Sequence, residues 1–190
     1  MNKRYAPALL IAATVASRAF CATGTLIVFD DADENGFSRP NASCSSASSL
    51  ETATVHSGST AVYIPRMQDN NGAGWAAPSN YSASADYDGI SFWINAGSSP
   101  TVVTSLGVYD ADNTGHFLHL EDIYGAALPA NTWIQFQIPF SSPYFEANSY
   151  TPPATVQTVC VISHSSGAGY YFLDDVALTG ADIFKAGFEN

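Results

Sequence analysis

Positive charge is what this chain has least of. Its 190 residues carry 6 Lys and Arg against 17 Asp and Glu, a formal net charge of -11. Such a surface repels phosphate backbones and anionic lipid, so nucleic acid and membrane surfaces are poor partners. Cysteine is scarce as well, at three residues. Long apolar runs are confined to the N-terminus, where Ala8–Ala16 is too short to span a bilayer. Nor does any later stretch read convincingly as a helix.

The N-terminus reads as a secretory leader, residues 1–22. Lys3 and Arg4 form its basic start, and Ala19-Phe20-Cys21-Ala22 offers small residues for cleavage after Cys21 or Ala22. Cys21 lacks the lead-in of a lipoprotein. The mature protein is therefore expected outside the cytoplasm: secreted, periplasmic or at the cell surface. Removing the leader takes Lys3, Arg4 and Arg18. Arg39, Arg66 and Lys185 then face all seventeen carboxylates, and the formal charge moves from -11 to -14. About 168 residues remain, enough for one domain with a single core, residues 23–181, and a short tail, 182–190. If Cys21 is removed, Cys44 and Cys160 are left, and an oxidising compartment favours their pairing. Two free buried thiols are the alternative.

What is abundant is strand signal, punctuated by Gly, Asn, Ser and Pro. Eight or nine strands are expected, at Thr25–Asp30, Thr52–His56, Thr60–Pro65, Gly89–Asn95, Val102–Tyr109, His116–Asp122, Thr132–Phe140, Val156–His164 and Tyr170–Thr179, while Gly72–Pro78 carries Trp75. The class is all-β. In the closing stretch Tyr170, Phe172, Asp174, Val176 and Leu178 fall on one face by strict alternation. A carboxylate in an apolar row is costly unless charge or donors satisfy it, and a metal cation is the natural partner in so anionic a chain.

The closing Tyr170-Tyr171-Phe172-Leu173-Asp174-Asp175-Val176 resembles the last strand of galactose-binding-like jelly rolls, the β-sandwich of many non-catalytic carbohydrate-binding modules. Val28-Phe29-Asp30-Asp31, Val55-His56-Ser57-Gly58-Ser59, Tyr87–Trp93 and Trp133–Pro139 extend the likeness over roughly residues 24–180. The resemblance implies a two-sheet jelly roll that binds polysaccharide or another glycan. It also implies a structural calcium held by Asp30 or Asp31, oxygens near Ser57, and Asp174 or Asp175.

Two acidic loops carry calcium-like spacing. Asp31-x-Asp33-x-Asn35-Gly36 has Ala42 at its twelfth place, and Asp110-x-Asp112-x-Thr114-Gly115 has Glu121 there. Strands flank the second, so it reads as a hairpin turn.

Sugar binding needs aromatic platforms and planar polar groups. On Thr132–Phe140 the alternation sends Gln135 and Gln137 away from the core. Trp75, Tyr81, Tyr124, Tyr144 and Tyr150 lie in or near loops, while Phe92, Trp93, Trp133 and Phe136 read as core. Trp75, Tyr109, His119, Gln135 and Gln137 are the candidate ligand contacts. His116 and His119, three apart on a strand, point to opposite faces and argue against joint metal ligation. Ser163-His164-Ser165 has no nucleophile elbow around it. No catalytic residue is expected. Phe184–Phe188 resembles an alginate lyase motif, but that family's other signatures are missing. Ile183-Phe184-Lys185-Ala186-Gly187-Phe188-Glu189 is closer to the Ile-Phe-x-x-Gly-Phe-Glu ending of exported gammaproteobacterial proteins. The reading is an exported glycan-binding module with structural calcium. Its rivals are an adhesive surface protein with protein partners and a small polysaccharide-active enzyme.

Overall fold

The computed structural model describes residues 24–39, 44–46, 48–65, 71–98, 104–163 and 169–180. The leader with Cys21, the tail, Ala42, Arg66, His164 and Lys185 lie outside the described residues. In chain order the elements are β1 (Thr25–Asp30), β2 (Ala32–Asp33), β3 (Ser45–Ser46), β4 (Ser49–Glu51), β5 (Ala61–Pro65), β6 (Asn71–Ser82) and β7 (Gly89–Asn95). There follow β8 (Thr104–Tyr109), β9 (Gly115–His119), α1 (Leu120–Tyr124), β10 (Trp133–Pro139), α2 (Pro143–Ala147), β11 (Thr155–Ser163) and β12 (Tyr170–Thr179).

These strands form a two-sheet β-sandwich. The large sheet runs β10-β7-β12-β1-β2, with β5 also on β12 and β4 on β5. The small sheet runs β3-β6-β11-β8-β9. Alternation explains how the sheets face each other. Ile90, Phe92 and Ile94 of β7 register against Ile138, Phe136 and Ile134 of β10, and most of this set is buried. From the small sheet Trp75, Leu106, Val108, Leu118, Val159 and Val161 meet them. Each such side chain, fully buried, contributes roughly 1.5–3 kcal/mol.

The central strand is β12. Along one flank it pairs with β7. Along the other, Tyr170–Leu173 pair with β5, and Val176–Thr179 pair with β1. The change of partner falls at Asp174 and Asp175, where the register shifts and Asp175 takes φ 51. That irregularity overturns the strict alternation expected of this strand. The core side is Tyr171, Leu173, Val176 and Leu178. Phe172 and Asp174, opposite Asn95 and Trp93, belong to the other side of the sheet.

Four further expectations are corrected. Residues 52–60 are a loop, because the strand before them is the earlier Ser49–Glu51. The expected strand His116–Asp122 stops at His119 and becomes α1, ended by Gly125 at φ 81. Trp75 is not in a loop: β6 is 12 residues long, and Trp75 faces the core with 1% exposure. Trp93 and Trp133 are not core. They alternate with Ile94 and Ile134 and so face outward, half-buried.

Candidate functional site

The outer face of the small sheet is built on small residues. Cys160 registers with Gly74 on one side and Gly107 on the other. Cys44 and Cys160 form a disulfide with Cα atoms 6.1 Å apart. It lies against Gly74, where an added Cβ would collide with the Cys44 sulfur. Phe117 lies over two glycines in the same way. A Cβ at Gly107 or at Gly115 would come within 2.6 Å of its ring. No other residue lets a ring rest so close to the strands.

Around Phe117 stand two tyrosines. Tyr109 meets its ring at 5.6 Å and 88°, and Tyr150 at 5.2 Å and 64°, both edge-on. Tyr150 is 42% exposed. Burial, and after it the neighbouring Tyr150, push the Tyr109 hydroxyl pKa up, so it stays a neutral donor at physiological pH. His119 shares this face and hydrogen-bonds Ser105 Oγ through Nδ1 at 2.7 Å. Tyr109 registers with Thr158. Thr158, Gln157, Ala76, Ala77, Ala111, Asp112 and Asn113 line a hollow of about 430 Å³. Rings, amides, hydroxyls and a carboxylate therefore sit side by side. The Asp110–Gly115 segment that rims the hollow is a hairpin turn, with Asp110 N–H on the Thr114 carbonyl and Thr114 N–H on Asp110 Oδ1. His116 anchors it: Nδ1 is 2.6 Å from the Thr151 carbonyl and Nε2 is 2.9 Å from Asp110 Oδ2.

The seam where β12 changes partner brings together the segments expected to share calcium. Asp174 is fully buried there, beneath the 52–60 loop. Its Oδ2 accepts the backbone N–H of His56 at 2.8 Å and of Ser57 at 3.3 Å, and its Oδ1 accepts that of Asp175. Asp175 accepts Ser57 Oγ–H and His56 Nδ1–H, each at 2.7 Å. The His56 ring stacks on Trp93 at 3.7 Å. Asp31 accepts the N–H groups of Ser59 and Thr60, while Asp30 is exposed. Burial pushes the Asp174 carboxyl up despite its donors. The Ser59 and Thr60 N–H groups hold Asp31 down. Backbone and side-chain donors thus already meet the carboxylates that a calcium ion would need. Among the described residues no group of three or more His, Cys, Asp or Glu is placed to hold a metal. As these side chains stand, they do not fit a divalent ion.

The expected ligand contacts are not brought to one place. Tyr109 and His119 share the small-sheet face. Gln135 and Gln137 are exposed on the outer side of the large sheet. Trp75 is inside, its Nε1–H on Asp33 Oδ1 at 2.9 Å. Asp33 also pairs with Arg39, so the first acidic loop is occupied by its own chain. Phe117, Gln157 and Thr158, which stand on the small-sheet face with Tyr109 and His119, were not among the expected contacts. The signal for Phe117 was the Gly107 and Gly115 pair beneath it.

No protein family's model matches this chain, and no curated protein matches it in sequence. Solved structures do match its fold. One is a family 11 carbohydrate-binding module from Clostridium thermocellum in complex with a beta-1,3-1,4-mixed-linked tetrasaccharide. Its TM-score is 0.50 at 13% identity, over 84% of this chain and 98% of that one. Another is a variant of a family 29 carbohydrate-binding module, with TM-score 0.52 at 8% identity over 83% of this chain and 92% of that one. The fold shared with them is the jelly-roll β-sandwich.

Proposed function

We propose that the chain is an exported, non-catalytic glycan-binding domain whose ligand lies on the outer face of the small sheet. One observation carries the reading: Phe117, Tyr109 and Tyr150 stand beside a hollow rimmed by Asp112, Asn113, Gln157 and Thr158. Aromatic rings suit the C–H faces of a pyranose, and amides and hydroxyls suit its edge. The fold it shares with carbohydrate-binding modules supports the reading. Export is supported by the leader pattern and by the disulfide, which persists in oxidising compartments. No helix of the described residues is long and apolar enough to cross a membrane. The formal charge of -11 makes a neutral glycan the fitting class.

Affinity electrophoresis of the full chain in gels containing neutral or anionic polysaccharides tests this. Retardation is expected in a neutral polysaccharide. Tyr150→Ala is expected to weaken binding at the small-sheet face at least tenfold, about 1.4 kcal/mol, with an unchanged unfolding midpoint because Tyr150 is exposed. No retardation in any polysaccharide would leave the adhesive, protein-binding reading in its place.

A further inference from the structure

A second concavity lies at the edge of the sandwich, where α1 packs on β8 and β9 of the small sheet. It runs between α1 and β10, the edge strand of the large sheet, and encloses about 360 Å³. Ile123, Tyr124, Ile134, Gln135, Phe136 and Gln137 line it. Tyr124 is 43% exposed, and both glutamines are exposed. Trp133 stands two residues before Gln135 on the same outward row and is half-buried.

The composition of this groove selects its occupant. It presents a phenol ring and two carboxamides, each offering two donors and an acceptor. None of its six lining residues is charged. The one Lys or Arg among the described residues, Arg39, is committed to Asp33. An anionic ligand therefore has no partner there and meets a negatively charged protein. A cation would find no carboxylate in the lining. A neutral ring with alternating hydroxyls and C–H faces fits both the amides and the phenol.

We propose that the α1–β10 groove is a second binding site for neutral glycan, so that one domain holds two glycan chains, one on the small-sheet face and one in the groove. The inference rests on the sugar-binding reading and extends it to another place. The functional consequence is cross-linking: two separate sites let one chain bridge two polysaccharide strands, with avidity at a surface carrying many.

The test is an NMR titration of the full-length, 15N-labelled protein with cellohexaose, xylohexaose, mannohexaose and a β-1,3-1,4-mixed-linked tetrasaccharide. It uses three variants: Tyr150→Ala, Gln135→Ala with Gln137→Ala, and all three changes together. The expected result is two bound oligosaccharides per wild-type chain, one per chain in each of the first two variants, and none in the third. The Gln135 and Gln137 side-chain NH2 signals should move on binding, and should still move in Tyr150→Ala. A stoichiometry of one that survives the glutamine changes but is lost in Tyr150→Ala would overturn the second site and leave the first standing. NH2 signals that stay still while the small-sheet face saturates would also overturn it, leaving the groove to a peptide strand added at the β10 edge. Binding lost with the glutamine changes but untouched by Tyr150→Ala would keep the groove and remove the first site. No binding by any variant or the wild type would remove both.

Discussion

The two outer faces of the sandwich both carry aromatic rings, but opposite chemistry dresses them. On the large sheet a loop is laid over the strands and held by carboxylates: Asp174 and Asp175 catch His56 and Ser57, and Asp31 catches Ser59 and Thr60. The ring surface there is spent internally, with His56 stacked on Trp93 and edge-on to Trp133. On the small sheet the rings are seated by shape, and carboxylate chemistry is confined to the Asp110–His116 contact of the turn beside them. Glycines let a disulfide and Phe117 rest directly on the backbone, with Tyr150 beside them in solvent. The part of the large sheet under the 52–60 loop, held by charge, responds to pH and takes no ligand without rearrangement. A face held by covalent and steric means is rigid and leaves its rings for a partner.

The largest effect that would sharpen this contrast comes from the covalent side. The disulfide joins residues 116 apart, and closing a loop of that order contributes about 4–5 kcal/mol. Replacing Cys44 and Cys160 with Ala together should lower urea stability by roughly that much, equally at every pH. A loss that varied with pH would blur the distinction between the faces. Next is Asp174→Ala, which leaves the N–H groups of His56, Ser57 and Asp175 without their acceptor. A loss of about 2–3 kcal/mol is expected, with glycan affinity at the small-sheet face unchanged because that face lies on the other side. Excess EDTA should leave the wild-type melting temperature where it is, since donors rather than a cation hold this carboxylate.

The smallest effect is in the pH profile. Donors hold Asp31 below its ordinary pKa, so its contribution is present above the ordinary aspartate value and is lost as pH falls through the lowered folded value. Asp174, raised by burial, has the opposite sign: the cost of its charged form disappears as pH falls through its folded value. Asp31→Asn should therefore flatten the acid decline of stability between about pH 2 and 5. A decline as steep as in the wild type would show that Asp31 carries none of it.

Much of the fold was legible because alternation in β7 and β10 is regular. Phe92 and Phe136 were placed in the core correctly, and Gln135 and Gln137 outward. The same alternation sends Trp93 and Trp133 outward, and judging them by bulk instead of parity misplaced them. The shift at Asp175 was not legible, since an aspartate at φ 51 carries no local signature and is imposed by the change of partner strand. That change also creates the seam, a contact between segments more than a hundred residues apart. Trp75 was hidden by its neighbours: Gly72, Ala73, Gly74 and Ala76 read as loop but are what lets the disulfide and the strands pack. On the site, the alternation that groups Phe117 with His119 was visible within one strand, whereas the Gln157 hollow beside Tyr109 depends on which strands lie side by side.

The most direct measurement of the central claim is a crystal structure of the full chain with the neutral oligosaccharide that retards it best. The account predicts a pyranose ring against Phe117 and Tyr150, with its hydroxyls reaching toward Gln157 and Asn113. A sugar seated over the 52–60 loop, with the small-sheet face bare, would contradict it.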